Sequence, residues 1–514
     1  MSVPYYLKIG KSSDLKSKKE RRLYRALEMF PGLLSWTTLI LIVVLSWLQP
    51  LWMAIFVISF VIYWLFRTSY FSFHLSASYK QMGKNKKTDW MEKIKSLPGT
   101  RWEDIYHVIV FPVYKEPLEI VRSSLDSVLK NDYPKEKIIV VLSCEEKAGE
   151  EGREMAKAIE KEFKNKFFKL FITFHPSDIP GELAGKGSNE TWGLKRAKEE
   201  IIDPLGISYE NIIVSSLDGD TSCFPKYFSC LTYSYLTVKD PTRASFQPIP
   251  LFTNNIWEAP PISRMFSFSA TFWQMMCQER PEKLLTFSSH SMSFKALVDV
   301  DFRQVNAVSD DSRIFWQCFL KYDGDYRVVP LNYPIAMDAN VAKSFSQTMK
   351  NVYKQQRRWA YGAADIAYFL FAFRKNKKIP FKKEFFMALS VIEGHWSWAT
   401  NAIIIFLLGW LPLVLGGEEF SRSLLSYNLP IFTSRGLTLA MLGLLGSAYY
   451  TIMMLPPKPP LYKKRKYLFF VLEWLLLPVV MIFFTSFPSL EAQTRLLMGK
   501  YMGFWTTPKI RRQQ

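Results

Sequence analysis

The sequence predicts an α/β domain with a mainly parallel, mixed sheet, inserted between two groups of transmembrane helices. Three observations lead to this fold class. Apolar residues make up 49% of the 514 residues, but they crowd at both ends of the chain, while residues 72–250 have the composition of a soluble protein. The apolar runs at each end approach the roughly 20 residues that span a bilayer. Residues 105–330 alternate between short apolar and amphipathic segments, which is typical of strands joined by helices in a parallel sheet.

Two apolar runs near the start of the chain predict a transmembrane hairpin. They cover residues 33–48 and 51–66 and are split only by a Gln-Pro pair. Neither run has a polar face, which disfavours the alternative of a buried pair of core helices. Residues 1–28 are polar and basic, and they show no cleavable signal peptide pattern. We therefore expect a basic cytosolic N-terminus over residues 1–28 and a helical hairpin over residues 29–71.

Residues 72–350 are expected to form a cytosolic domain of alternating strands and helices. The segments that predict strands are residues 106–112, 137–143, 168–174 and 211–217. The segments that predict helices between them are residues 117–130, 149–163 and 186–200. Near-continuous apolar strands are typical of a parallel sheet that is covered on both faces. Such a sheet binds its ligand beyond the carboxyl ends of the strands.

The chain becomes apolar again after Trp359. Residues 360–373 are apolar and stop abruptly at Arg374 and Lys375, which predicts a helix lying in the membrane interface, within a segment over residues 351–396. The candidate spans that follow, within residues 397–487, are residues 398–415, 436–455 and 467–487.

The charge pattern leaves open the side on which the chain ends. The strongly basic loop over residues 458–466 is expected in the cytosol. Counting spans from there places the basic tail outside, against the positive-inside tendency. The basic residues of this tail, residues 488–514, include Lys509, Arg511 and Arg512. Either an extra crossing lies within residues 385–398, or the last apolar segment does not span the membrane.

Charge and cysteine usage exclude several classes of protein. The formal net charge of +20, from 66 Lys and Arg against 46 Asp and Glu, first suggests a nucleic acid partner. The basic residues cluster beside the apolar runs, however, as at residues 16–22 and 463–466. Loops at an anionic membrane surface explain this better, so we expect a lipid bilayer and no nucleic acid as partner. The five cysteines form no Cys-x-x-Cys pair and the five histidines are scattered, so neither a disulfide framework nor a zinc site is predicted.

Asp218-Gly219-Asp220, at the end of a predicted strand, is the central chemical signal. Two carboxylates one residue apart can hold a hard divalent cation, Mg²⁺ or Mn²⁺, that bridges the phosphates of a nucleoside diphosphate. Gly219 allows the backbone to approach the ligand closely. The motif alone is weak, because the same pattern occurs in ordinary turns.

Acidic residues also follow the first two predicted strands. Glu116 follows the first strand, and Glu145 and Glu146 follow the second; all three could accept hydrogen bonds from a nucleobase or ribose. Glu116 could equally start a helix, and the Glu145-Glu146 pair could be a solvated loop. Lys186, which opens a predicted helix, is a candidate phosphate contact, with a surface lysine as the alternative.

Two later motifs combine a structural role with a possible catalytic one. Asp310 and Asp311 precede a helix over residues 312–320, where they can cap the helix or serve as general base. Gln355, Arg358 and Trp359 stand just before the predicted interfacial helix. They could anchor the chain at the interface, or supply an indole platform for a sugar and an arginine that neutralises a leaving diphosphate.

Taken in order, these motifs resemble membrane-bound family 2 glycosyltransferases, which include cellulose synthases, hyaluronan synthases and related bacterial β-glucan synthases. The resemblance covers about residues 30–510. The motifs that carry it are Pro112-x-Tyr114-x-Glu116, Gly185-Lys186, Asp218-Gly219-Asp220, Asp310-Asp311 and Gln355-x-x-Arg358-Trp359. One departure is that Leu142-Ser143-Cys144 precedes Glu145-Glu146, which displaces the usual acidic pair after the second strand.

The resemblance implies a GT-A fold, a divalent cation and inversion at the anomeric carbon. Asp218 and Asp220 would hold the donor diphosphate and the metal, and Asp311 would deprotonate the acceptor hydroxyl. Arg358 and Trp359 would close the site around diphosphate and acceptor.

The expected function is transfer of a sugar from a nucleoside diphosphate donor, a UDP-sugar, to an acceptor hydroxyl at the plasma membrane. Two enzymatic variants stay open: a processive synthase that extends a growing β-glucan-like polysaccharide, and a single-transfer enzyme acting on a lipid-linked or short acceptor. A transporter or non-catalytic membrane scaffold is the alternative from another class.

Overall fold

A mixed sheet of eight strands organises the central part of the chain in the computed structural model, which describes residues 3–99, 101–508 and 510–511. Lys509 and Arg512 of the predicted basic tail lie outside the described residues. The strands are β1 (Tyr106–Val113), β2 (Ile138–Glu145), β3 (Lys169–His175), β4 (Ile212–Ser216), β5 (Ser222–Cys223), β6 (Ala244–Leu251), β7 (Ser291–Ser293) and β8 (Arg327–Ala336).

The sheet has the strand order β3-β2-β1-β4-β7-β6-β8-β5. Strands β3, β2, β1 and β4 pair in parallel, as do β6 and β8, whereas β7 runs antiparallel to both of its neighbours and β5 runs antiparallel to β8. Every residue of β2 and β4 is buried, because helices cover both faces of the sheet. The prediction of a mainly parallel, mixed sheet is confirmed, and its four leading strands lie where the apolar segments indicated.

Helices before and within this domain are α1 (Lys18–Leu48), α2 (Pro50–Lys87), α3 (Trp90–Lys95), α4 (Leu118–Leu129), α5 (Gly149–Phe163), α6 (Lys186–Ala197), α7 (Asp203–Leu205), α8 (Tyr227–Thr237), α9 (Pro261–Gln278), α10 (Phe294–Asp299), α11 (Asp310–Lys321), α12 (Phe345–Ala360) and α13 (Ala364–Lys375). The helices that follow are α14 (Phe381–Ile403), α15 (Leu411–Leu415), α16 (Gly417–Ser421), α17 (Leu424–Met454), α18 (Lys466–Leu472), α19 (Leu477–Met481) and α20 (Phe487–Leu497).

Five helical segments among the described residues are long and apolar enough to cross a membrane. They are Lys18–Leu48, Pro50–Lys87, Phe381–Leu408, Leu424–Met454 and Lys466–Leu497. They flank the α/β domain on both sides, as the sequence predicted, and they indicate an integral membrane protein.

The helices run further than the predicted segment boundaries. The predicted boundary between hairpin and domain, at residue 72, falls inside α2, because nothing between residues 66 and 87 breaks the helix. The end of α2 instead docks on the domain, where Asn85 Nδ2 donates a hydrogen bond to the Leu331 carbonyl over 3.1 Å. The boundary predicted at residues 396–397 similarly falls inside α14.

Helix α13 corresponds to the segment predicted to lie in the membrane interface, and that prediction is wrong. Most of its residues are buried by protein. Phe369 stacks on Trp316 of α11 at 4.3 Å between ring centroids, and Phe371 contacts Tyr24 of α1 at 5.4 Å. Because α13 is apolar on nearly all sides, it is a core helix between the domain and α1.

The last apolar segment, Lys466–Leu497, begins and ends at the α/β domain. Near its start, Lys466 Nζ donates to the Trp257 carbonyl over 2.5 Å. Near its end, Glu491 pairs with Arg357 of α12 at 2.6 Å. Between these points the segment is broken into α18, α19 and α20 by 3₁₀ and π turns, with prolines at 478 and 488. Both ends therefore lie on the same side of the helix bundle.

Candidate active site

A cavity of about 930 Å³ joins the carboxyl ends of the sheet strands to the membrane helices. Ten of the eleven residues singled out from the sequence line it, although they are spread over more than 240 positions of the chain. They are Glu116, Glu145, Lys186, Asp218, Asp220, Asp310, Asp311, Gln355, Arg358 and Trp359. The exception is Glu146, which is exposed and does not line the cavity.

Lys186 joins the two acidic motifs. Its Nζ lies 2.7 Å from Asp218 Oδ1 and 2.9 Å from Asp311 Oδ1. Lys186 is the first residue of α6, while Asp218 follows β4 and Asp311 stands in the first turn of α11. The alternative of a surface lysine is therefore excluded. One ammonium group holds both carboxylates at the cavity wall.

In each motif one carboxylate faces the cavity and the other is buried behind it. Asp220 is 0% exposed, and its Oδ2 accepts a hydrogen bond of 3.0 Å from the Asp338 backbone N–H. Asp310 is 3% exposed. Burial and the neighbouring charge of Asp311 raise the pKa of Asp310 to about 7.

A buried ion-pair network sits behind Asp311. Arg303 Nε pairs with Glu190 at 2.7 Å, and an Arg303 Nη lies 3.5 Å from Asp311 Oδ1. Burial disfavours ionisation of Asp311, but the charges of Lys186 and Arg303 outweigh it and lower the pKa of this carboxyl. Asp311 is therefore a carboxylate at neutral pH.

The acidic residues after β1 and β2 have three different environments. Glu116 Oε2 accepts a hydrogen bond of 2.7 Å from the Tyr114 N–H and faces the cavity beside Gly219. Glu145 closes β2, where its Oε2 lies 3.1 Å from His175 Nδ1. Glu146 points away from the cavity, and its Oε2 accepts a hydrogen bond of 3.3 Å from the Ser177 N–H. Glu146 is thus not positioned to contact a donor.

The Gln355-x-x-Arg358-Trp359 motif, at the end of α12, faces the cavity and not a membrane surface. Gln355 Oε1 accepts a hydrogen bond of 3.3 Å from Asn340 Nδ2. The Trp359 ring lies 5.4 Å from that of Phe287. Burial lowers the pKa of Arg358, although nearby carboxylates oppose this. These contacts do not support the alternative of a snorkelling interfacial anchor.

The C-terminal tail supplies cavity residues that the sequence analysis missed. Phe504, Trp505, Thr506 and Thr507 line the cavity. Phe504 packs on Gly185, where an added Cβ would lie 2.6 Å from its ring, and the Arg358 guanidinium lies 4.7 Å from the centre of that ring. Arg511 Nη2 lies 2.7 Å from Asp338 Oδ1. The aromatic pair at 504–505 was the signal that could have indicated docking.

The carboxylates of the acidic motifs suit a divalent cation that binds together with a phosphate ligand. Among the residues that the structure describes, no group of three His, Cys, Asp or Glu side chains is arranged to hold a metal ion by itself. Mg²⁺ commonly takes one or two protein carboxylates and completes its shell with phosphate oxygens and water. Asp218, which faces the cavity with Asp220 directly behind it, matches that need.

A family model described as "Glycosyl transferase family group 2" matches residues 213–486, which is more than half of the chain. The chain belongs to this glycosyltransferase family. The matched region contains both acidic motifs, α12 and most of the C-terminal membrane helices. The α/β domain is accordingly a GT-A-like glycosyltransferase domain.

Solved glycosyltransferase structures show a low overall similarity to this family member. A mannosyltransferase from Pyrobaculum calidifontis, PcManGT, in complex with GDP-Man and Mn²⁺, is 15% identical, with a TM-score of 0.40 over 77% of this chain and 99% of its own. S. aureus TarS 1-349 in complex with UDP-GlcNAc is 13% identical, with a TM-score of 0.36 over 67% of this chain and 92% of its own. Comparison with curated proteins gives no significant match.

Proposed function

We propose that this glycosyltransferase is a processive polysaccharide synthase. It would move a sugar, with inversion, from a nucleoside diphosphate donor, most simply a UDP-sugar, to the end of a growing β-glucan-like chain. The observation that carries the proposal is the 930 Å³ cavity, which runs without interruption from Asp218 and Asp311 to the membrane helices. A donor at one end and a glycan leaving through the other would share this space.

At the donor end, the side chains match a diphosphate and its cation. Asp218 and Asp220 would hold Mg²⁺ or Mn²⁺, which when bound neutralises the diphosphate and makes it a better leaving group. Lys186 and Arg358 would bind the phosphate oxygens directly, since both are cations in the cavity wall. Glu116 and Glu145 would accept hydrogen bonds from the ribose and the nucleobase.

At the reacting centre, Asp311 would act as general base and Trp359 would support the acceptor ring. Asp311 and Asp218 contact the same ammonium group, so the base and the diphosphate site are within a few ångströms of each other. An inverting transfer needs one base and no enzyme nucleophile, because the acceptor hydroxyl attacks the anomeric carbon itself.

At the membrane end, three residues that line the cavity carry buried polar atoms. His395 Nδ1, Trp398 Nε1 and Asn401 Oδ1, all on α14, have no hydrogen-bond partner within the described part of the chain. A buried polar atom without a partner is costly, so these atoms favour a ligand rich in hydroxyl groups. A glycan passing between the helices would satisfy them once these side chains turn toward the cavity, and a single transfer to a small acceptor would not require them.

The same geometry supports a cytosolic catalytic domain and four membrane crossings. Because the segment Lys466–Leu497 starts and ends at the domain, we propose that it dips into the membrane and returns. This arrangement keeps the tail and the N-terminus on the side of the domain, where Arg511 reaches Asp338. Of the two topologies left open by the sequence, it is the one that satisfies the positive-inside tendency.

Product length tests the proposal. The purified protein in lipid nanodiscs should release nucleoside diphosphate from one member of a panel of nucleotide sugars and form a ladder of long products. Trp398→Phe removes the indole N–H but keeps an aromatic ring, and it should shorten the products without stopping donor consumption. One added sugar per acceptor would support the single-transfer alternative, and no diphosphate release from any donor would support a non-catalytic scaffold.

A further inference from the structure

His175, at the end of β3, is buried between two carboxylates. Its Nδ1 lies 3.1 Å from Glu145 Oε2, and its Nε2 lies 3.0 Å from Glu182 Oε2. The imidazole is 3% exposed, and its ring centre lies 6.0 Å from that of Trp192. Both ring nitrogens therefore face a negatively charged acceptor.

The two carboxylates belong to different parts of the candidate donor site. Glu145 ends β2 and lines the large cavity. Glu182 lies in the loop over residues 176–185, which leads directly to Lys186 at the start of α6. His175 thus links Glu145, at the proposed nucleobase end of the cavity, to the loop that leads to Lys186 at the proposed phosphate end.

The surroundings of His175 contain few other charges. A small cavity of about 120 Å³ beside it is lined by Glu145, Lys147, His175, Glu182 and apolar or small residues of the loop. Glu146, on the adjacent turn, bonds the Ser177 N–H. Trp192 is the aromatic neighbour from α6. Among the described residues that line this small cavity, Lys147 is the only Lys or Arg, and it is exposed to solvent.

The proton count of an imidazole decides whether both contacts can form. A neutral imidazole carries one N–H, so it can donate to one carboxylate while its lone pair repels the other. Only the imidazolium donates to both. Burial disfavours the charged form, but the hydrogen bonds and charges of Glu145 and Glu182 outweigh it and raise the pKa of His175.

We propose that His175 is a pH-sensitive positioning residue for the nucleotide donor. As imidazolium it bonds both Glu145 and Glu182 of the 176–185 loop. These two contacts hold Glu145 and Lys186 in the positions that bind the donor. As the proton is lost, one carboxylate is repelled and the loop is released. Donor affinity is then complete at low pH and falls as the pH rises through the titration of His175. This inference rests on the proposed function.

Nucleotide binding across pH tests the proposal, with UDP and Mg²⁺ as the probe and the full-length protein in nanodiscs. Between about pH 6 and about pH 9, we expect wild-type affinity to fall by about tenfold, the cost of one lost charged hydrogen bond. Glu182→Gln is the decisive variant. Its amide N–H can donate to the lone pair of a neutral imidazole, so Glu182→Gln should keep high affinity across the range and lose the pH dependence.

His175→Gln separates positioning from packing. Glutamine can bond one carboxylate but not bridge two, so this variant should bind weakly at all pH values, with a raised donor KM and a nearly unchanged kcat. If Glu182→Gln shows the wild-type pH dependence, His175 does not position the donor. Titration of the nucleotide itself affects every variant equally. Failure of all variants to bind UDP or GDP at any pH would refute the proposed function as a whole.

Discussion

The two acidic motifs of the candidate active site have the same arrangement and differ in their buried carboxylates. In each motif one carboxylate faces the cavity and contacts Lys186: Asp218 is 25% exposed and Asp311 is 23% exposed. The other carboxylate of each motif lies behind it. Asp220 receives a backbone N–H, which stabilises a carboxylate, whereas Asp310 lies against Asp311 in a buried setting, where its pKa rises to about 7.

Under the proposed function, this difference would give the neighbouring carboxylates separate roles. Asp220 accepts a backbone hydrogen bond beside the proposed cation site, so the first motif would offer two carboxylates to a cation. Asp310 is partly protonated at neutral pH, so the second motif keeps one full charge, on Asp311. Two carboxylates suit a site for a divalent cation, whereas a general base needs one accessible carboxylate.

Of the changes considered, removing the divalent cation from the first motif should lower sugar transfer most. Excess chelator should abolish sugar transfer, and Mg²⁺ or Mn²⁺ should restore it. Asp218→Asn should lose transfer as well, because an amide is a weaker ligand for a hard cation than a carboxylate. Release of diphosphate at the full rate in excess chelator would refute the metal role and, with it, the contrast between the motifs.

Lys186→Met should have the next largest effect, because it removes the group that the motifs share. We expect kcat to fall by about a hundredfold, as for loss of one preorganised charge at a reacting centre. Lys195→Met, on the same helix but ion-paired with Asp301 near the surface, is the matched control and should keep its activity. Equal activity of both variants would show that the bridge is not used.

Asp310→Asn should have the smallest effect on turnover, a few-fold at most, since asparagine resembles a protonated carboxyl. The variant should differ from wild type mainly in how its stability depends on pH. A carboxyl whose pKa is raised in the folded state loses stability as the pH rises from about 4 to about 7, between its unfolded and folded values. Thermal unfolding of wild type should show this decline, and Asp310→Asn should lack that contribution. A hundredfold drop in turnover would instead make Asp310 the base.

Local patterns in the sequence predicted the domain well. The apolar strands, the α12 motif and the acidic residues at the strand ends other than Glu146 lie where the pattern indicated, because a parallel sheet gathers its strand ends at one edge. Long-range contacts were not predictable. Nothing in the sequence near Lys186 shows that it bridges residues 218 and 311. Apolar composition also cannot distinguish burial in protein from burial in lipid, so α13 was assigned to the interface.

The most direct test of the account is Asp311→Asn, measured for fold, donor binding and transfer in one preparation. Asparagine is compatible with a helix start but cannot take the proton of the acceptor hydroxyl. We predict a folded protein that binds nucleotide with wild-type affinity and transfers sugar about 10² to 10⁴ times more slowly. Turnover above about a tenth of wild type would contradict the general-base assignment on which the mechanism depends.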